Sequence, residues 1–357
     1  MKAQLIASLF KFAGKVAILG MVSCAALAAQ TAKLPAYQVD LHQTSVSGLS
    51  SGAFMAAQFQ AAYSSTLIGA GIVAGGPYYC AGSSPVTPYL LNATTICMNP
   101  QPGLGPNAGA LLEQAKGFAQ SGLIDDLGNL KKQKVYLFSG KADKTVTTPV
   151  VDQTAAFYKL AGLPAQNIKY VHDVDAGHAI ITNNSKDVAC PDTASPYIND
   201  CRFMQSHDIL TYIYGDLKPP VTKLSGKIIK FDQSEFVKSF LASMSDDAYL
   251  YVPKSCETET CRVHVAFHGC EQGAAQIGDR FYRTTGYNEL ADANNIIVLY
   301  PQAQVSNGFF SAYNPKGCWD FWGYSSFNQL APNFYTRQAP QMSAVKAMLD
   351  RLGQPRK

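Results

Sequence analysis

The sequence predicts an α/β fold with a mostly parallel central sheet and helices on both of its faces. Near-continuous apolar runs at residues 134–140, 262–267 and 296–300 are typical of strands buried in a parallel sheet. Segments with helical periodicity, such as 108–120 and 287–293, alternate with these runs. The remaining elements are consistent with this fold and are taken below in chain order.

Residues 1–29 have the composition of a secretory signal peptide. Three lysines precede an uncharged run, and Ala26-Leu27-Ala28 offers small residues for cleavage. The run is short for a membrane span, so we expect cleavage and secretion, to the periplasm or the medium, rather than stable membrane insertion. Cys24 leaves a lipid-modified N-terminus as the alternative. Removing the three lysines lowers the formal net charge from +4 to +1, so no basic patch argues for nucleic acid.

The segment Gly48-Leu49-Ser50-Ser51-Gly52 matches the pattern G-x-S-x-G. A β-branched, alternating stretch precedes it and a helical pattern follows, which is the setting of a nucleophile elbow. The two glycines allow a tight turn that exposes the Ser50 hydroxyl and directs a helix N-terminus at any oxyanion formed there. A turn built by Gly and Ser without chemistry is the alternative. We predict that Ser50 is a nucleophile.

The next segments supply a strand, a loop and a helix. Residues 69–76 predict a short buried strand that ends in glycines. Residues 77–107 show no sustained period and contain Tyr78 among several tyrosines, so we expect a long loop that forms a lid or a pocket wall. A helix is predicted from Ala108 to Gln120, with Asn107 as its N-cap.

Two predicted strands are each followed by a residue suited to hydrolysis. Asp143 follows the strand at 134–140, at the carboxyl end where parallel sheets place functional groups. His178 follows the strand at 168–174 in a glycine-containing loop. The order Ser, Asp, His is that of a hydrolase triad. A capping role is the alternative for Asp143. We expect structural roles for four other histidines: His42, His172, His207 and His264.

After a connector near residues 215–226, the pattern of strands resumes. Residues 227–232 and 248–253 alternate as antiparallel strands do, and the buried strand at 262–267 ends in His268-Gly269-Cys270. Further along, residues 309–324 form a long segment rich in aromatic side chains. The chain closes with an amphipathic helix.

The position of the His-Gly turn indicates a circular permutation. In α/β-hydrolases the strand that carries this turn precedes the elbow, because the turn supplies the second oxyanion N–H. Here it comes last. Reading from Lys227 to the C-terminus and on from Leu41 restores the usual succession. We therefore predict a circularly permuted α/β-hydrolase in which residues 30–357 form a single domain.

Eight cysteines remain after the signal peptide, and an even number in an exported chain predicts disulfides. Connectivity does not follow from sequence, but sequential pairing closes short loops. It gives Cys80 with Cys97, Cys190 with Cys201, Cys256 with Cys261, and Cys270 with Cys318. Neither a C-x-x-C pair nor an H-E-x-x-H motif is present, so we expect no metal site, and no cofactor is implied.

Four motifs together resemble the circularly permuted extracellular poly(3-hydroxybutyrate) depolymerases of the single-domain fungal type and their bacterial relatives. They are G-L-S-S-G, A-G-H, H-G-C and G-C-W-D-F-W-G-Y. The resemblance implies a triad of Ser50, Asp143 and His178, and an oxyanion hole formed by the backbone N–H groups of Ser51 and Cys270. It also places the stretch from Trp319 to Trp322 along the polymer cleft. No separate polymer-binding domain is evident.

We therefore expect a secreted, monomeric serine esterase that cleaves short-chain polyhydroxyalkanoates or their oligomers through an acyl-enzyme. Trp319, Trp322 and Tyr78 are the predicted substrate contacts, with core packing as the alternative for the aromatic residues near Cys318. Three other functions stay open. They are a feruloyl or acetylxylan esterase, a peptidase of serine-hydrolase fold, and an inactive polymer- or glycan-binding protein.

Overall fold

The computed structural model describes residues 32–308 and 311–356. The predicted signal peptide, with Cys24, lies outside these residues. Residues 31–357 form one compact unit. Within the described ranges, no helix has both the length and the apolar character needed to cross a membrane.

The described residues contain fourteen strands and nine α-helices. The strands are β1 (Ala32–Lys33), β2 (Thr44–Leu49), β3 (Leu67–Val73), β4 (Lys134–Phe138), β5 (Ile168–Val171), β6 (Ile180–Thr182), β7 (Val188–Ala189), β8 (Ile198–Asp200), β9 (Lys227–Asp232), β10 (Asp247–Val252), β11 (Arg262–Phe267), β12 (Ile296–Tyr300), β13 (Ser306–Asn307) and β14 (Tyr313–Asn314). The helices are α1 (Ser51–Ala62), α2 (Tyr89–Thr94), α3 (Ala108–Gln120), α4 (Thr148–Leu160), α5 (Gln205–Tyr214), α6 (Ala274–Ile277), α7 (Arg280–Thr284), α8 (Tyr287–Ala293) and α9 (Pro340–Gly353).

Nine strands form the central sheet, in the order β1-β9-β10-β12-β11-β2-β3-β4-β5. β10 runs antiparallel to both of its neighbours, and every other pair in this sheet is parallel. Strands from both sides of the connector at 215–226 therefore share one sheet, as the sequence predicts.

The strand order confirms the permuted α/β-hydrolase arrangement. In the permuted numbering, β9 to β12 are strands 1 to 4 and β2 to β5 are strands 5 to 8. Across the sheet these strands lie in the order 1-2-4-3-5-6-7-8. In that count Ser50 follows the fifth strand, Asp143 the seventh and His178 the eighth. Because β2, β4 and β5 are parallel, all three residues lie at the same edge of the sheet.

Helices cover both faces of the sheet. A Cβ added at Gly71 of β3 would lie 2.7 Å from Ile209 of α5, so α5 packs closely against this face. Next in the strand, Ile72 points to the opposite face, where its side chain lies near Ala53 of α1. Every residue of α1 is buried, including Gln58 and Gln60, so the helix is enclosed by the protein on all sides.

A buried polar network lies below the elbow, on the α5 and α8 side of the sheet. His264 of β11 contacts Ser45 Oγ through Nδ1 at 2.6 Å and Ser47 Oγ through Nε2 at 2.7 Å. Those serines in turn contact Tyr214 of α5 and Tyr287 of α8. The expected structural role of His264 is consistent with these contacts, which join two central strands to two helices.

The structure pairs all eight cysteines in the predicted sequential pattern. It differs from the sequence expectation in two local features. The segment at 77–107 contains helix α2, which carries no sustained apolar period because it is only six residues long. β5 ends at Val171, so His172 follows the strand and is exposed rather than lying within it.

Candidate active site

The elbow has the close approach that its glycines imply. Ser50 has φ of 57°, a left-handed conformation that is uncommon for a residue with a side chain. A Cβ at Gly48 would lie 2.3 Å from the backbone of Gly52, and a Cβ at Gly52 would lie 2.4 Å from the carbonyl oxygen of His268. Both positions exclude any larger residue, so the turn between β2 and α1 is sharp and is packed against the His268 turn.

Asp143 and His178 form a buried pair. Their side chains meet at 2.7 Å between Asp143 Oδ2 and His178 Nδ1, and the two residues are 3% and 5% exposed. Asp143 Oδ1 accepts the backbone N–H groups of Thr145 and Val146 at 2.7 and 3.0 Å. The carboxylate can therefore accept but not donate, so the proton of a neutral imidazole lies on Nδ1 and Nε2 is a free base.

Backbone hydrogen bonds hold the Asp143 and His178 loops against each other. Lys141 N donates to Val174 O at 2.9 Å, and Ala142 N donates to Ala176 O at 3.1 Å. A Cβ at Gly140 would lie 2.2 Å from Ala176 O, so the two loops can come this close only because residue 140 is a glycine. The pairing of carboxylate and imidazole is thus built into the two loops.

The loop closed by the disulfide between Cys190 and Cys201 supports His178 from the other side. Gly177 N donates to Cys190 O at 2.8 Å, and His178 N donates to Thr193 Oγ1 at 2.9 Å. The sequence analysis did not identify Thr193, because no local pattern relates it to a histidine fifteen residues earlier.

Ser50 shares a cavity with residues next to Asp143. Ser50 and Val146 line the same cavity of about 430 Å³, and Val146 is bonded to Asp143 through its backbone N–H. Within the described residues, no hydrogen bond joins Ser50 Oγ to His178 Nε2. In unliganded hydrolases such contacts are often longer than in the substrate complex. The structure thus brings the three residues to one end of the sheet and joins two of them directly.

The turn His268-Gly269-Cys270 adjoins Ser50. A Cβ at Gly269 would lie 3.5 Å from Ser50 Cβ, and Cys270 lines the same cavity as Ser50. Ser51 is the first residue of α1, so its N–H has no partner within the helix. The two residues predicted to form the oxyanion hole, Ser51 and Cys270, therefore lie next to Ser50.

His268 controls the orientation of the Gly269–Cys270 peptide. Ala303 N donates to His268 Nε2 at 3.1 Å, so the ring proton lies on Nδ1 and is donated to Gly269 O at 2.7 Å. Complete burial lowers the pKa of His268 to about 4, which keeps the ring neutral. Because C=O and N–H point in opposite directions across a trans peptide, this bond turns the Cys270 N–H away from His268.

The cavity at Ser50 is largely apolar. Phe54 and Phe321 stack in its wall with ring centroids 4.1 Å apart, and Trp322 also lines it. The other apolar or aromatic lining residues include Leu90, Ala93, Met98, Val146 and Tyr313. The sequence analysis missed Phe54, since a helix that is buried on every side gives no sign of which residue borders a cavity.

Two of the predicted substrate contacts are in the core instead. Trp319 is 0% exposed and packs against Phe267 and His268 with centroids 5.0 and 5.5 Å away. Tyr78 is 1% exposed, and its hydroxyl donates to Tyr335 O at 2.7 Å. Neither lines the cavity at Ser50. Trp322, the third predicted contact, does.

Asp320 organises the loop that carries Phe321 and Trp322. Its carboxylate is 2% exposed and accepts four backbone N–H groups and one hydroxyl. The donors are the N–H groups of Trp322, Gly323, Tyr324 and Ser325, and the Ser325 hydroxyl. Desolvation raises the pKa of Asp320, while these hydrogen bonds act in the opposite direction. The aromatic wall therefore has a fixed backbone.

No protein-family model matches the chain. Two similar proteins and two similar structures are informative. A poly(3-hydroxybutyrate) depolymerase of Delftia acidovorans is 41% identical over 325 residues, and the match covers 89% of this chain and 61% of that protein. The chain thus spans less than two thirds of the length of that relative. A polyhydroxybutyrate depolymerase of Talaromyces funiculosus is 37% identical over 328 residues, covering 88% of this chain and 91% of that protein.

Solved structures give the same result. A PHB depolymerase from Penicillium funiculosum matches with a TM-score of 0.79 and 34% identity, over 90% of this chain and 98% of that one. A Ser-to-Ala variant of a PHB depolymerase complexed with an R3HB trimer also matches at a TM-score of 0.79, with 33% identity and the same coverage. The likeness extends over nearly the whole described chain and agrees with the permuted sheet and the elbow. The chain therefore belongs to the polyhydroxybutyrate depolymerase family.

Proposed function

We propose that this chain is a secreted, monomeric serine esterase that hydrolyses poly(3-hydroxybutyrate), related short-chain polyhydroxyalkanoates and their oligomers. The observation that supports the proposal is the largely apolar cavity lined by Ser50, Cys270 and Val146, together with the hydrogen-bonded pair of Asp143 and His178 at the same edge of the sheet. The four disulfides support an oxidising compartment outside the cytoplasm.

Hydrolysis proceeds in two steps. His178 Nε2 removes the proton of Ser50 as Oγ attacks the ester carbonyl, and Asp143 stabilises the imidazolium that forms. The N–H groups of Ser51 and Cys270 donate to the tetrahedral oxyanion. Collapse expels the alcohol end of the chain, which takes the proton from His178. Water then attacks the acyl-enzyme by the same route, and a 3-hydroxyacid end is released with Ser50 restored.

The surface next to the cavity supports a polymeric, uncharged substrate. A groove of about 750 Å³ shares Leu90, Tyr313 and Trp322 with the cavity at Ser50. Phe327 and Leu330 line this groove and are 88% and 96% exposed. Exposed apolar patches of this kind mark binding surfaces, and an aliphatic polyester fits one without the need for charge.

A substrate panel tests the proposal. Wild-type protein should release 3-hydroxybutyrate and short oligomers from an amorphous polyester film, and Ser50→Ala should release none while remaining folded by circular dichroism. A serine-directed phosphonate should label wild-type protein at Ser50. Release of ferulate from an arabinoxylan ester without any release from the film would identify a carbohydrate-ester esterase. Absence of label would identify an inactive binding protein.

A surface variant tests the role of the groove. Leu330→Ser should lower the rate on the film, because apolar contact with the solid is lost, and should leave hydrolysis of a soluble short-chain ester unchanged. Leu160→Ser is the matched control, since Leu160 is also an exposed leucine, 58% exposed, at the end of α4. Equal effects of the two changes on the film would contradict the assignment.

A further inference from the structure

Gln272 is a buried amide whose hydrogen-bonding groups connect the oxyanion turn to another loop. Its side chain is 0% exposed. Oε1 accepts Gly269 N at 2.7 Å, and Nε2 donates to Pro196 O and to Tyr197 O, both at 2.9 Å. Both amide hydrogens and one oxygen lone pair are therefore in use. The bond to Gly269 lies within the oxyanion turn, and the two bonds to Pro196 and Tyr197 reach another loop.

Tyr197 belongs to the segment that supports His178. Ile180 N donates to Tyr197 O at 3.0 Å, so this carbonyl oxygen accepts hydrogen bonds from both Ile180 N and Gln272 Nε2. The same disulfide-closed segment accepts two more hydrogen bonds. Gly177 N donates to Cys190 O, and His178 N donates to Thr193 Oγ1. The segment from Cys190 to Cys201 thus bonds to the backbone of residues 177, 178 and 180 on one side and to the side chain of Gln272 on the other.

The other end of this set of hydrogen bonds is the His268–Gly269 peptide, which directly precedes the Gly269–Cys270 peptide that carries the Cys270 N–H. Gln272 holds Gly269 by its N–H, while His268 holds Gly269 by its carbonyl oxygen. The two peptides on either side of Gly269 are therefore both fixed, one by each side chain. With Gly269 unable to rotate, the N–H of Cys270 keeps one direction.

We propose that Gln272 is a positioning residue that sets the oxyanion turn relative to the loop of the general base. It does not line the cavity at Ser50, and it acts by holding the Cys270 N–H and the His178 imidazole in a fixed relative position. The inference rests on the proposed esterase mechanism and adds a residue to it. Loss of the amide frees the turn, and the N–H loses alignment with an oxyanion that is formed only in the transition state.

Steady-state kinetics on a soluble short-chain ester test the role. Deleting an oxyanion donor outright lowers kcat by roughly 10²–10³. Gln272→Ala leaves the donor present but misaligned, so kcat should fall about tenfold to a hundredfold while KM stays within about twofold. Gln133→Ala is the matched control. Gln133 is 1% exposed, with its amide bonded to Gln60 and Ser64 O beside the amino end of β4, at the opposite edge of the sheet.

A second variant gives a readout that a merely structural role does not produce. In Gln272→Glu the carboxylate can accept Gly269 N but cannot donate to Pro196 O or Tyr197 O, whereas the neutral acid can accept Gly269 N and donate its one O–H to either carbonyl oxygen. The ratio of its kcat to that of wild type should therefore rise as the pH falls. It also keeps the side-chain volume, so it decides the matter if Gln272→Ala is not recovered folded.

Three results would overturn the proposal: a kcat for Gln272→Ala within about twofold of wild type, a loss equal to that of Gln133→Ala at equal folded fraction, or a pH-independent ratio for Gln272→Glu. Failure of the esterase mechanism itself is distinguished by Ser50→Ala. If that variant retains turnover, the nucleophile is wrongly assigned whatever Gln272 does.

Discussion

Asp143 shows how one side chain can fix the protonation of another. Oδ1 is occupied by two backbone N–H groups, so Oδ2 alone faces His178 Nδ1 at 2.7 Å. The backbone donors hold the carboxylate in one rotamer. The imidazole is then restricted to the tautomer that has a basic Nε2.

Replacing Asp143 by Asn tests this arrangement. The amide oxygen can keep the two backbone donors, which leaves the NH₂ group against His178 Nδ1 and forces the proton onto Nε2. We expect kcat on a soluble ester to fall by about 10⁴ with little change in stability, as for the equivalent change in other serine hydrolases. Asp126→Asn, at an exposed aspartate that caps a turn, should keep wild-type kcat. Similar kcat values for the two variants would contradict the role of Asp143.

Among the elements of the described chain, the loop after Cys318 contributes two of the four aromatic residues that line the cavity, Phe321 and Trp322. It has no regular secondary structure between β14 and α9, yet the Asp320 carboxylate receives five donors from it. The loop is also attached to α1, since Trp319 N donates to Ser51 Oγ at 3.2 Å. A buried carboxylate thus supplies the order that a helix or a strand would otherwise give.

The change Asp320→Asn should loosen this wall. An amide has one acceptor oxygen, so in either orientation its NH₂ group would face at least one backbone N–H, and at least one hydrogen bond is lost. We expect KM for a soluble oligomer to rise several-fold with a smaller effect on kcat, and the melting temperature to fall. The control is Asp232→Asn, because Asp232 also accepts a backbone N–H and a serine hydroxyl, but at the end of β9. An unchanged KM would show that the wall does not depend on Asp320.

Over the whole molecule, two buried histidines couple stability to pH. Burial lowers the pKa of His264 from 6.5 to about 3 and that of His268 to about 4. The folded protein keeps both rings neutral, whereas the unfolded chain takes up protons as the pH falls through 6.5. The contribution of the two neutral imidazoles to the free energy of unfolding is therefore fully present above about pH 6.5. It is lost progressively as the pH falls toward 4.

Urea unfolding as a function of pH measures this loss. Between about pH 6 and pH 4 the free energy of unfolding should fall with a slope approaching ~1.4 kcal/mol per pH unit for each imidazole. His264→Gln should reduce that slope by the contribution of one imidazole, whatever the stability of the variant itself. His42→Gln should leave the slope unchanged, because His42 is exposed. Identical slopes for wild type and His264→Gln would contradict the coupling.

The sequence by itself determined eight of the nine strands of the central sheet, several of the helices, the elbow and the sequential disulfides. Apolar periodicity, glycine spacing and short loops are local properties, and each can be read from neighbours in the chain. The permutation could also be predicted, since the order of Ser50, Asp143, His178 and the His268 turn along the chain is itself a sequence observation.

Only the tertiary structure decided which aromatic residues border the cavity and which residues hold the site together. Trp319 and Trp322 are three positions apart in one motif, yet one is in the core and the other lines the cavity. Phe54, Thr193 and Gln272 gain their roles from contacts with segments far away in sequence. The physical reason is that burial and side-chain hydrogen bonding depend on what packs against a residue, and distant strands and loops supply those neighbours.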